Sequence, residues 1–293
     1  MNNSIKIVLF FLLLTILNTG CAKEKKETRP IVSVTTFPLY DITRQIAGDT
    51  LKIVNILPFG VEPHEYEPTP KIVANIEKSA LILYSGAGLE PWTAGFHFKQ
   101  RAVNMSQYVS LHTFENTRTI DPHYWLDFQN MQKAVAVITQ ELVKIAPKNK
   151  SLYRQNEKAY LLMLEKLDEK FQTGLADCKR DTIIVNHNAF SYLAKKYGFH
   201  VASLSGLSPE AEPNAKNIIR LMQTIKEHNV STVFFEDFAS DKAIKGVANA
   251  TQTAVDVLKP LGNITADEAK ENLTYEAMMQ INLQKLSKAL SCH

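Results

Sequence analysis

The chain has 293 residues, 45% of them hydrophobic, with three cysteines and a formal net charge of +3. This composition is ordinary for a globular protein and excludes a disordered chain, a collagen and a disulfide-dense miniprotein, while the length fits about two domains. Five basic and two acidic residues lie in 1–30, so of 33 basic and 30 acidic residues 28 of each remain in 31–293. A neutral body supplies no global basic field for nucleic acid.

Lys6 precedes an apolar run of eleven residues, 7–17. That is short of the roughly 20 residues a bilayer span needs. A positive start before such a run reads as a secretory signal, here 1–20. Gly20-Cys21 follows, and a small residue before a cysteine at this point resembles a bacterial lipoprotein signal. Cleavage there leaves Cys21 as the lipidated N-terminus, anchoring the protein to a membrane. Asn18 stands where that pattern usually has Leu, so soluble secretion is the alternative. Residues 21–30 are largely charged and suit a solvated tether. Export puts Cys178 and Cys292 in an oxidising compartment, where a disulfide between them and two unpaired thiols are both open.

Along the body, IVSVTTF (31–37), LKIVNIL (51–57) and ALILY (80–84) read as strands, with helical stretches at 38–49 and 70–78. Strands alternating with helices predict a parallel α/β lobe over 31–150. Residues 85–127 hold most of the irregular chain. A helix follows at 128–145, with Val135, Val137, Ile138, Leu142 and Ile145 at helical spacing, and Pro147 interrupts it. The next stretch, from 151 to about 175, has no Pro or Gly before Gly174. Leu152, Tyr153, Ala159, Tyr160, Leu162, Leu164, Leu167 and Phe171 fall mostly on one face of it. About 24 residues span roughly 36 Å, enough for a linking helix (151–177) that crosses a domain. From 178 to 293 the alternation restarts, with strands at 182–186, 200–204, 231–236 and 254–258 and helices at 189–198, 214–228, 241–250 and 275–290. Two such α/β lobes leave a cleft onto which the C-terminal ends of strands converge.

One pattern occurs twice: Glu62-Pro63-His64-Glu65-Tyr66 and Asp121-Pro122-His123-Tyr124-Trp125. Proline stiffens the approach to each histidine, and the nearby acid can orient or charge-balance the imidazole. The plain alternative is two turn histidines. His187, in VNHNAF, falls where a strand ends and a helix starts, the place an α/β lobe presents ligands. Alone it reads as a helix-start histidine bonded to backbone. Together, two histidines from one lobe and one from the other would enclose a metal, and three imidazoles favour zinc.

At these residues the sequence resembles the zinc/manganese family of ABC-transporter substrate-binding lipoproteins. The matching stretches are LPFGVEPHEYEPTP (57–70), LILYSGAGLEPW (81–92), DPHYWLD (121–127), VNHNAFSYLAKKYGF (185–199), LSPEAEPNAKNI (207–218), VFFED (233–237) and YEAMMQINLQKLSKAL (275–290). The resemblance implies two lobes joined by one rigid helix, with the metal in the interlobe cleft on His64, His123 and His187. It implies zinc as cargo, with manganese or iron as alternatives, an ABC permease and its ATPase as partners, and a periplasmic or cell-surface location. It points to a binding component and away from catalysis.

Two departures stand out. The family commonly supplies a carboxylate ligand from the segment that reads VLKPLG (257–262) here, and Lys259 holds the usual Asp position. An ammonium has no lone pair for a cation. Glu236 and Glu62 are then the candidates for a fourth ligand, or an anion or water completes the shell. Glu236 also reads as an inter-strand or helix-cap partner. The second departure is the lack of a His/Asp-rich loop. That region has only His97 and His112, expected to be surface or packing residues, while His200 is expected to be packed and His228 to end a helix. The rivals from other classes are a zinc hydrolase, with Glu62, Glu65 or Glu236 as its base but no HExxH helix, and a surface adhesin anchored through Cys21. A rigid long helix implies modest lobe motion, and imidazole protonation below about pH 6 should weaken binding.

Overall fold

The computed structural model describes residues 29–114, 118–205, 215–236 and 242–293. The expected signal and Cys21 lie outside them, as does most of the tether. Among the described residues no helix is long and apolar enough to cross a membrane.

The first lobe runs β1 (Ile31–Val34), α1 (Phe37–Ala47), β2 (Lys52–Asn55), α2 (Pro70–Ile76), β3 (Leu81–Tyr84) and β4 (Ala102–Asn104). Its strands form a parallel sheet in the order β2-β1-β3-β4. Then come α3 (Phe128–Ile145) and the long α4 (Lys150–Gly174). The second lobe runs β5 (Thr182–Val185), α5 (Ser191–Tyr197), β6 (His200–Ser203), α6 (Ala215–Glu227), β7 (Thr232–Phe235), α7 (Lys242–Thr251), β8 (Ala254–Val257), α8 (Ala266–Lys270) and α9 (Tyr275–Leu290). Its parallel sheet has the order β6-β5-β7-β8, the same winding as the first. In each sheet the winding reverses between the first and third strands of the lobe, which opens a crevice at their carboxyl ends.

The ends of the helices follow from local chemistry. Asp127 caps α3 by accepting from the backbone N–H groups of Gln129 and Asn130. Gly198, at φ 76°, closes α5 in the left-handed conformation that glycine adopts without a Cβ clash. Two short elements carry no sequence signal. β4 has three residues, too few to display a period, and α8 is a single turn held by a capping box between Thr265 and Glu268.

α4 has 25 residues, about 37 Å at 1.5 Å each. Its buried stripe is Tyr153, Glu157, Tyr160, Leu164, Leu167 and Phe171, at alternating spacings of four and three. Leu152, Ala159 and Leu162 are exceptions to the expected apolar face, and all three are exposed. Leu152 and Ala159 sit one residue, about 100°, from the nearest stripe position and Leu162 sits two residues from it; Leu152 and Leu162 are 40% and 50% exposed. The helix packs on α1 and α3 of the first lobe and on α9 of the second. One hydrophobic core therefore runs through both lobes, from Val32 and Phe37 through Phe171 to Tyr275 and Leu286.

Polar contacts add to this seam. Trp125 Nε1 donates to the Pro260 carbonyl at 2.7 Å, and Tyr275 donates to the Trp125 carbonyl at 2.5 Å. Asn263 Nδ2 donates to the carbonyls of Pro58 and Val61, at 2.7 and 2.8 Å. Cys178 and Cys292 are joined in a disulfide that ties the approach to β5 to the end of α9. His200 was expected to be packed. It is exposed, because it opens β6 at the edge of its sheet.

Candidate metal centre

Three loops bring the histidines together. His64 lies between β2 and α2, His123 on the turn that leads into α3, and His187 just past the end of β5. His123 and His187 are 2% and 1% exposed, and His64 is part-buried. The Nε2 atoms of His64 and His123 are 3.3 Å apart, and those of His123 and His187 3.4 Å. All three residues offer ligand atoms within 4.8 Å of one another. A tetrahedral zinc with Zn–N bonds of about 2.0–2.1 Å sets neighbouring ligand nitrogens about 3.3–3.4 Å apart. The spacing therefore fits the ion.

A carboxylate stands behind two of the rings. Asp121 Oδ1 accepts from the His123 backbone N–H at 2.9 Å and from its Nδ1 at 2.7 Å. Glu236 Oε1 takes the same place on Nδ1 of His187. Ionised carboxylates only accept, so each ring keeps a proton on Nδ1 and, in its neutral form, turns a bare Nε2 to the cavity. Both acids are buried, and among the described residues Glu236 Oε2 has no hydrogen-bond partner. A buried negative charge without full compensation calls for a cation nearby.

The electrostatics agree. Burial drives the His64 pKa down to about 2, with the neighbouring His123 and His187 adding to the effect. Its ring is thus neutral and ready to ligate. Burial also works to lower His187, but Glu236 overcomes it, and the ring is held above its ordinary value with help from Glu62 and Asp121. Burial would raise Asp121, yet His123 and hydrogen bonds from His112, His123 and Ser191 keep it well below the usual carboxylate range. The cavity at the three rings measures about 10 Å³ and is also lined by Glu62, Trp125 and Gly262. That is close to the room one water-sized particle needs.

The family model for the periplasmic component A of zinc-uptake complexes matches residues 32–289. The chain belongs to this zinc-uptake component A family. It is 33% identical to the high-affinity zinc uptake system protein ZnuA of Bacillus subtilis, over 92% of this chain and 90% of the relative. It is 31% identical to the zinc-binding lipoprotein AdcA of Streptococcus pneumoniae, over 92% of this chain and 58% of that longer protein. Among solved structures, the Zn(II)-bound ZnuA-like domain of that AdcA superposes with a TM-score of 0.77 at 30% identity, covering 89% of this chain and 99% of the domain. The laminin-binding protein Lmb of Streptococcus agalactiae, described as a bifunctional protein with adhesin and metal transporting activity, gives a TM-score of 0.82 at 30% identity, covering 89% and 99%.

Within this zinc-uptake component A chain, the other residues singled out from sequence take distinct places. Lys259 sets its ammonium 2.6 Å from Glu268 Oε1 and is held at its backbone by Asn282. Glu62 lines the cavity, with Oε1 3.9 Å from His64 Nε2. Glu236 sits at the end of β7, beside the end of β5, and reaches the outer edge of His187. His97 is exposed. His112 does pack, stacked on Tyr192 with ring centroids 3.8 Å apart, but its Nε2 also reaches Ser191 Oγ at 2.8 Å. No local motif marks that contact, because Ser191 comes from the other lobe.

Proposed function

We propose that this protein is the zinc-binding component of an ABC-type uptake system. It captures one zinc ion on His64, His123 and His187 and passes it to a membrane permease driven by an ATPase, while a lipid on Cys21 holds it at the membrane. The observation that carries this reading is the 3.3 and 3.4 Å spacing of the Nε2 atoms.

Charge supports it. Three neutral imidazoles leave the ion's two charges uncompensated, and buried Asp121 and Glu236 supply two negative charges just behind the rings. Glu236 acts there as the support of His187, and Glu62 or a water takes the fourth position. Three imidazoles suit zinc better than manganese, which prefers an oxygen-rich shell. A cavity of about 10 Å³ holds an ion and has no room for an organic substrate beside it, which favours carriage over hydrolysis. The continuous core favours release by a small local rearrangement over a wide hinge opening.

The test is metal analysis of the purified protein under competition among zinc, manganese and iron. One tightly held zinc per chain is expected. Preferential retention of manganese would move the protein to the other branch of the resemblance.

A further inference from the structure

The hydrogen bonds behind His123 do not stop at Asp121. Asp121 Oδ2, its second oxygen, accepts from the Ser191 hydroxyl. That hydroxyl has one proton, already given to the carboxylate, so its oxygen must accept from His112 Nε2, 2.8 Å away. The chain reads His112 to Ser191 to Asp121, with His112 Nε2 itself 3.6 Å from Asp121 Oδ2 and Asp121 in turn holding Nδ1 of His123. Every donor in it points toward that carboxylate.

The geometry around the chain is built to hold it. The Asp121 backbone N–H donates to the His112 carbonyl at 2.9 Å, and Thr113 pairs antiparallel with Ile120, so His112 and Asp121 lie side by side. Tyr192 donates to the Asp121 carbonyl at 3.0 Å and stacks its ring on His112. His112, Asp121 and His123 belong to the first lobe. Ser191 and Tyr192 open α5 in the second lobe, four residues after His187. The stretch His187 to Ser191 thus gives the site one ligand of its own and supports the ligand of the opposite lobe.

We infer that Ser191, backed by His112, is an interlobe positioning residue that fixes the Asp121 carboxylate and makes His123 a full-strength ligand only while the lobes are closed. This rests on the zinc reading proposed above. The consequence is a release step with two effects at once. Separation of the lobes at this seam withdraws His187 and slackens His123 in the same motion, so a small displacement weakens two of three ligands.

The test compares Ser191→Ala, His112→Phe and His112→Gln with the wild type in zinc affinity by chelator competition, zinc release rate, the visible spectrum of the cobalt-substituted site, and melting without metal. His112→Phe keeps the stack on Tyr192 and loses the donor, whereas His112→Gln keeps a donor and loses the ring. Partners behind a ligand typically affect metal affinity by about 10–100-fold. Ser191→Ala and His112→Phe are expected to weaken zinc within that range, speed its release and shift the cobalt bands, with His112→Gln close to wild type. The loss from Ser191→Ala should largely vanish in an Asp121→Asn background, since Ser191 acts through that carboxylate. Wild-type affinity and release rate in Ser191→Ala would overturn the inference, even if its melting temperature fell. So would His112→Gln binding as weakly as His112→Phe. If the wild type itself held no zinc, the zinc reading would fail first, and the positioning role with it.

Discussion

The Nε2 atoms of His64 and His123 approach to 3.3 Å. Two ring lone pairs do not face each other so closely without a proton or a cation between them, and two ligands on one tetrahedral zinc sit about this far apart. Each histidine is aimed by its own loop, so the convergence is a property of the whole fold.

Removal of a ligand should be far more costly than a change behind it. His64→Ala, His123→Ala and His187→Ala are each expected to lose more zinc affinity than the roughly 10–100-fold that supporting residues control. Chelator competition measures this, and any variant that keeps wild-type affinity removes that histidine from the site.

Glu236→Gln tests the supporting role. An amide oxygen can still accept from His187 Nδ1 but carries no charge. A loss of about 10–100-fold in zinc affinity is expected. X-ray absorption of the bound zinc should count the same number of nitrogen and oxygen ligands as in the wild type. A missing ligand would instead make Glu236 a direct donor to the ion.

The dependence on pH follows from two opposite shifts. His64 is held down at about 2 by burial, so no proton competes with zinc there at ordinary pH. His187 is held above its ordinary value, where Glu236 outweighs burial. Zinc must displace that proton, so affinity is full above the His187 pKa and falls as pH drops through it. The fall should begin above about pH 6.5, the ordinary imidazole value, and so earlier than the sequence alone suggested. Glu236→Gln should move the onset to lower pH. Zinc affinity that stays flat from pH 8 to pH 6 would contradict this.

Lys259→Ala should leave zinc affinity unchanged, because the ammonium is engaged by Glu268. The lost ion pair, whose side chains are only 17% and 15% exposed, should lower the melting temperature, since Glu268 is left without its cation. A clear gain in affinity would mean that the lysine charge reaches the ion.

Reduction of the Cys178–Cys292 disulfide, which closes a span of 114 residues, should cost about 2–5 kcal/mol of stability. Zinc affinity should be retained, since the bond ties α9 to the approach to β5 and touches none of the three histidines. Melting curves with and without reductant, beside a zinc titration, test both halves.

Much of this was legible because its signals are local. The Pro-His pairs at 63–64 and 122–123, and a histidine set between a strand and a helix at 187, mark the ligands within a few residues each. The unbroken run through α4 marks the linking helix. Other features depend on residues distant in the chain. Glu236 meets His187 because β5 and β7 are neighbours in the sheet, which no window of sequence displays. The Ser191 support of Asp121 needs both lobes in place. Lys259 looked like a charge in the site until the fold supplied Glu268 as its partner.

The most direct test is X-ray absorption and metal analysis on protein loaded under competition between zinc and manganese. Expected is one zinc per chain with three imidazole nitrogens at about 2.0–2.1 Å and little manganese. Fewer than three imidazoles on the ion, or manganese retained over zinc, would contradict the assignment of His64, His123 and His187 as a zinc site.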